Sequence, residues 1–190
     1  MTALLAFLVA AAALPPEEVR FQPRATSSEP RLQRRWAFST ELGWNSLGGV
    51  GLVLARHLDA NFTLEAGMGL SAVGPKAGLR GRYLFLPGAW TPFLGLGFLY
   101  GAGSGPGSTP TFGNVPRYRY SIGPSPYLQA VIGLEYQSAG GFNCTAATGY
   151  VGLLRQNLTV TGPASQDDLA TLRLLTGRGP VFSFSLGYAF

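Results

Sequence analysis

The sequence predicts an all-β protein: an eight-stranded antiparallel transmembrane β-barrel, preceded by a signal peptide and a short unstructured leader. Three observations predict it. From Trp36 to the last residue, large apolar side chains alternate with small or polar ones, the period of a strand whose two faces meet different surroundings. The composition joins 46% hydrophobic residues and 27 glycines to only 12% charged residues. Yet no run reaches the ~20 apolar residues of a membrane helix, which suits barrel strands with their short, weak signals. Finally, connections two, four and six are all short and the two long ones, five and seven, fall at the other end, where the first two loops are unusually short.

The elements follow in chain order. Residues 2–13 are apolar and alanine-rich, too short to cross a bilayer, with Ala11, Ala12 and Ala13 where cleavage would fall. Residues 1–13 therefore read as a secretory signal peptide, although no Lys or Arg precedes the apolar run. Residues 14–34 mix charges with Pro, Ser, Gln and Thr without a period and read as an unstructured leader. The barrel occupies residues 35–190. Trp36, Phe38, Thr40, Leu42 and Trp44 form the first greasy row, and Ser46-Leu47-Gly48-Gly49 turns the chain into a second row of Val50, Leu52 and Leu54. Leu58-Asp59-Ala60-Asn61 is a tight turn by composition. Phe62, Leu64, Ala66, Met68 and Leu70 make the third row, and Gly74-Pro75-Lys76 the next turn. Leu79, Tyr83 and Phe85 then oppose Arg80 and Arg82. Leu94, Leu96, Phe98 and Tyr100 carry the fifth strand, residues 126–137 the sixth and residues 142–154 the seventh.

Residues 102–124 and 156–179 are the long connections. Within the second, residues 158–160 and 169–175 extend the last two strands, unless Leu169 and Leu172 mark a short helix. Connections two, four and six are short. That is the pattern of a barrel with tight turns at one end and longer loops at the other.

The eighth strand places Phe182, Phe184, Leu186, Tyr188 and Phe190 on one face and Ser183, Ser185, Gly187 and Ala189 on the other. Ending on Phe with Tyr two residues before it, it resembles the closing strand of bacterial outer-membrane β-barrels. Arg82-Tyr83 followed by Thr91-Pro92-Phe93-Leu94-Gly95-Leu96-Gly97 is similar to the middle hairpin of small barrels of the outer membrane protein A type. The resemblance covers residues 36–190 as pattern rather than as diagnostic motif. It implies the outer membrane of a Gram-negative bacterium, a leader in the periplasm and outer-membrane lipids and lipopolysaccharide as surroundings. It also implies a barrel-assembly machinery that reads Phe182, Phe184, Leu186, Tyr188 and Phe190.

Charge placement separates this architecture from a soluble sandwich, which would scatter charge over its exposed face. Arg or Lys facing the mid-bilayer costs ~2–4 kcal/mol. Glu41, Glu65, Glu135, Arg80, Arg82, His57, Gln129 and Gln137 all fall opposite the greasy rows; Arg56, beside a turn, is the exception. We expect a lumen charge network of Glu41, Glu65, Arg80, Arg82, Glu135 and Arg155, because a buried carboxylate without a partner is costly. Such a network fills a narrow barrel as a polar plug.

Catalysis is not expected. His57 is the only histidine, has no serine near it in sequence and falls at the turn end, so a rim lipid hydrolase is disfavoured. Cys144 stands alone, and no metal or cofactor motif appears. The net charge of +5 centres on Arg31, Arg34 and Arg35 and on Arg117, Tyr118, Arg119 and Tyr120. The second group suits lipopolysaccharide phosphates or an aromatic girdle, and nucleic acid is not an expected partner. The functional expectation is a monomer with a structural or surface-interaction role, not an enzyme. A small-solute channel is the alternative.

Overall fold

The computed structural model describes residues 29–104, 119–155, 158–162, 165–176 and 178–190. Residues 1–28, read above as a signal peptide and most of the leader, and residues 105–118 lie outside the described residues. The described elements are α1 (Pro30–Gln33), β1 (Trp36–Trp44), β2 (Val50–His57), β3 (Phe62–Ser71), β4 (Gly74–Leu84), β5 (Trp90–Gly101), β6 (Arg119–Ile122), β7 (Ser125–Gln137), β8 (Phe142–Leu153), β9 (Leu158–Thr161), α2 (Gln166–Thr176) and β10 (Gly179–Ala189).

Eight of these strands close in the order β1-β10-β8-β7-β5-β4-β3-β2, every pair antiparallel. Closure joins the first and last strands, with Ala37 opposite Ala189 and Trp44 opposite Phe182. The seam is fastened by Trp36 N–H to Phe190 O (3.1 Å) and Phe190 N–H to Trp36 O (2.7 Å). A closed sheet has no free edge, so each barrel strand satisfies its backbone on both sides. Alternation then decides the rest. One set of side chains must point out and the other must share the narrow interior.

The β2–β3, β4–β5 and β7–β8 turns share the end that holds Trp36 and Phe190, the terminal end; the equally tight β1–β2 and β3–β4 turns share the opposite, loop end with the two long connections, β5 to β7 and β8 to β10. Turn chemistry is local. Asp59 Oδ1 accepts the N–H groups of Asn61 (2.7 Å) and Phe62 (2.6 Å), which folds the β2–β3 turn. Gly141 has φ 102°, and a Cβ there would meet Ala189 O, so the β7–β8 turn needs glycine.

Three expectations change, and one open alternative is settled. β4 begins at Gly74, not near Leu79, because Gly74 (φ 85°) completes the turn by itself. Pro75 and Lys76 are already paired with Leu70 and Gly69. Residues 158–160 do not extend the barrel: β9 pairs with β6 in a separate two-stranded sheet. For residues 169–175 the short helix, one of the two readings the leucine spacing allowed, is the one found: they belong to α2. The end of the leader is not unstructured either, since Pro30, with its fixed φ, opens the short helix α1.

Candidate functional site: a charged barrel interior

The inward residues of the barrel build one continuous chain of opposite charges. It starts on β1, where Glu41 stands 3.8 Å from Arg80 Nη2. Arg80 on β4 donates from Nε to Glu65 Oε2 on β3 at 2.6 Å. The other Glu65 oxygen meets Arg82 Nη2 at 2.9 Å, and the same nitrogen lies 2.7 Å from Glu135 Oε2 on β7. Glu135 Oε1 then accepts from Arg31 Nε of α1 at 2.8 Å. All six side chains are at most 5% exposed.

The geometry follows from strand order. Arg80 and Arg82 are neighbours on one face of β4, and Glu65 is the cross-strand partner of Arg80. Glu41 on β1 and Glu135 on β7 come from strands not paired with β4, so the arginines must reach through the lumen past the neighbouring strands. Glycine gives their stems room. A Cβ on Gly95 would lie 3.3 Å from both Arg80 Cδ and Arg82 Cγ. The Arg82 guanidinium also sits 4.7 Å from the centroid of the Phe93 ring, whose face favours a cation.

Two segments outside the strands complete the interior, and the alternation could not point to either. At the terminal end α1 carries Arg31 into the mouth. Besides Glu135, its guanidinium donates to the carbonyls of Gly88 (2.8 Å), Leu86 and Ala89 (3.5 Å each). Arg31 therefore holds the place assigned to Arg155, which lies exposed beyond the end of β8. At the loop end, residues 46–49 fold inward. Gly48 N–H donates to Glu41 Oε2 at 2.9 Å, and Leu47 is fully buried. Gly67 and Gly78 make that possible, since a Cβ on either would lie within 3 Å of Leu47. Around Leu47 an apolar layer of Val53, Leu99, Tyr127, Val131, Val151 and Val181 fills the space between the charges and the loops. Gln129 bridges the layers. Its Oε1 accepts from Arg80 Nη1 (3.4 Å), and its Nε2 donates to Asn45 O (2.9 Å).

Lys76, expected in a turn, is a further buried cation on β4. It faces inward from β4, 5% exposed, with Nζ 5.6 Å from the Tyr127 ring centroid.

His57 is buried at the terminal end, its Nδ1 2.7 Å from Thr63 Oγ1. A hydroxyl beside an imidazole is the start of a nucleophile–base pair. Both residues are at most 1% exposed, so this pair has no surface open to a substrate. Among the described residues no group of His, Cys, Asp and Glu could hold a metal ion. Cys144 lies in the outward row of β8, half-buried between larger neighbours. Of the loop group, Arg119 and Tyr120 open β6, while Arg117 and Tyr118 lie outside the described residues. Phe182, Phe184, Leu186, Tyr188 and Phe190 form an exposed outward row.

The outer surface is the complement of the interior. Leu42, Leu52, Met68, Leu79, Leu96, Ile132 and Phe184 are all about half exposed or more. Aromatic rings gather at the two rims. Trp36, Tyr83, Trp90, Tyr136, Phe142 and Tyr188 ring the terminal end, with Trp90 and Tyr136 centroids 4.7 Å apart. Trp44, Tyr100 and Tyr150 stand nearer the loop end. Arg56 is the one charged residue in the outward rows, 5.1 Å over the Trp36 ring at the rim.

Fold and interior define a class: a closed eight-stranded barrel, apolar outside, with a charged and filled inside. No protein-family model and no curated protein match the sequence. Among solved structures the chain is similar to Neisserial surface protein A (14% identity, 82% of this chain and 94% of that one, TM-score 0.45). It is similar as well to Acinetobacter baumannii CarO (10% identity, 84% and 99%, TM-score 0.42). A major outer membrane protein from Thermus thermophilus is a third (17% identity, 82% and 99%, TM-score 0.42).

Proposed function

We propose that this chain is an outer-membrane barrel protein with a structural or surface-interaction role, delivered by the signal peptide of residues 1–13. The observation that carries the reading is the inverted surface. A soluble monomer rarely exposes an apolar patch beyond a few hundred Å². Here the outward rows of all eight strands are apolar, while the charged residues of the strands, Arg56 apart, turn inward. In a bilayer that arrangement leaves hydrocarbon against hydrocarbon and places the rim aromatics at the headgroups.

In this setting α1 and the turns of the terminal end face the periplasm, and the loop end faces outward. The ion chain, Leu47 and Arg31 close the lumen to solutes. Residues 102–124 and 156–179 are the surfaces that meet outside partners, with Arg119 and Tyr120 near lipopolysaccharide phosphates. Phe182, Phe184, Leu186, Tyr188 and Phe190 engage the assembly machinery. No enzymatic step is assigned.

Fractionation of cells expressing the full chain tests the location, and planar-bilayer recordings test the closed lumen. The reading expects recovery with the outer membrane and no steady conductance. Recovery in the detergent-free soluble fraction would refute the location; regular single-channel steps would refute the closure.

A further inference from the structure

Among the described residues the interior charges do not balance. Four buried cations, Arg31, Lys76, Arg80 and Arg82, face three buried carboxylates, Glu41, Glu65 and Glu135. The three arginines and three glutamates pair among themselves. Lys76 is left over. Among the described residues it makes no ion pair and no hydrogen bond; its ammonium faces the ring of Tyr127. Glu41, which acts on it electrostatically, already engages Gly48 N–H and Arg80. Burying an ammonium without an anion is costly.

Lys76 lines a cavity of about 440 Å³ at the loop end. Its walls come from both faces of the barrel. Lys76, Tyr127 and Val73 lie inside, whereas Trp44, Val50 and Leu70 belong to the outward apolar surface or its rim. The cavity therefore runs from a buried positive charge to a greasy exterior. Tyr127 is held in place by its hydroxyl, which donates to Thr176 O of α2 at 3.0 Å.

We propose that this cavity binds an amphiphilic monocarboxylate of the fatty-acid type, its carboxylate on Lys76 and its apolar chain passing out between Trp44, Val50 and Leu70. One surplus positive charge matches a monoanion. An apolar pocket with a single fixing charge suits a ligand that is mostly hydrocarbon. The site is built from barrel and loops alone, so it goes beyond the proposed location and does not depend on it.

The test is a titration of the full-length folded protein in zwitterionic detergent with dodecanoate labelled with ¹³C at the carboxyl carbon, read by NMR. The wild type is expected to show saturable binding at one site. Unlabelled dodecanoate should displace the probe, and dodecanol, with the same tail and no charge, should not. Lys76→Met should weaken binding by more than about tenfold, as expected for loss of a charge-assisted hydrogen bond, and Lys76→Arg should retain it. Ala72→Trp keeps the ammonium, fills the cavity mouth and should also abolish binding; a folded-state gel shift shows that each variant is still a barrel. Absence of saturable binding in the folded wild type would overturn the proposal. So would unchanged affinity in Lys76→Met, or displacement by dodecanol as effective as by dodecanoate.

Discussion

Glu65 is the residue on which the interior turns, because each of its oxygens holds a different buried arginine. Glu65→Ala leaves two guanidinium groups short of a partner in a site from which water is excluded. Breaking a buried pair in this way costs about 3–5 kcal/mol. Urea unfolding in lipid vesicles should show a loss of that order. Arg155→Ala, at an exposed position outside the strands, should stay within about 0.5 kcal/mol of the wild type. A second residue-scale effect concerns space. In Gly67→Val the new side chain would take the volume that Leu47 occupies, where a Cβ would already lie 2.8 Å from Leu47 Cδ2. Overpacking of this kind costs about 1–3 kcal/mol, and the same unfolding measurement should report it.

At this scale the sequence was legible wherever the strand period governs. Glu41, Glu65, Arg80, Arg82 and Glu135 share the inward parity because one side of each strand must avoid charge. Which acid meets which base was not legible, since that depends on how strands across the lumen are staggered. Arg31 was hidden for a related reason. It lies in a segment without a period, and nothing in Pro30-Arg31-Leu32-Gln33 announces a partner more than a hundred residues away. Lys76 was misplaced because one glycine completes a turn that composition spread over three residues.

At the scale of elements, α1 and β10 make separate claims. α1 is anchored by the Arg31 side chain and by Arg34, which donates to Ala189 O (3.0 Å) and lies over the Tyr188 ring. In Arg31→Ala the helix loses its buried contact, while Glu135 keeps Arg82. Amide hydrogen exchange across residues 29–35 should then accelerate with little change in the barrel strands. Equal protection in variant and wild type would mean that Arg31 does not hold the leader. β10 closes the sheet against β1, and its outward row ends at Phe190. If assembly reads that row, deleting Phe190 should lower the amount of membrane-inserted protein without lowering synthesis, measured by pulse labelling and fractionation. The long connections taught the opposite lesson. The leucine spacing allowed α2, but the pairing of β6 with β9 joins segments far apart in the chain, which local pattern does not encode.

For the whole molecule, the central claim is that the greasy rows face hydrocarbon and the charges face each other. The closed strand order and the inward glycines follow from the same alternation that was visible in the sequence. The alternation alone does not say which face is outside; closure with the small and charged residues inward does. The measurement that bears most directly on this is spin-label accessibility in lipid vesicles. On a Cys144→Ser background, labels are placed one at a time at Leu96 and Ile132, in the middle of the outward rows, and at Arg155 as a reference in the loops. The account predicts that the labels at Leu96 and Ile132 collide readily with dissolved oxygen and hardly at all with a water-soluble nickel chelate, with the reverse at Arg155. Free collision of the nickel chelate with Leu96 and Ile132 would put those rows in water, and the membrane barrel would be contradicted.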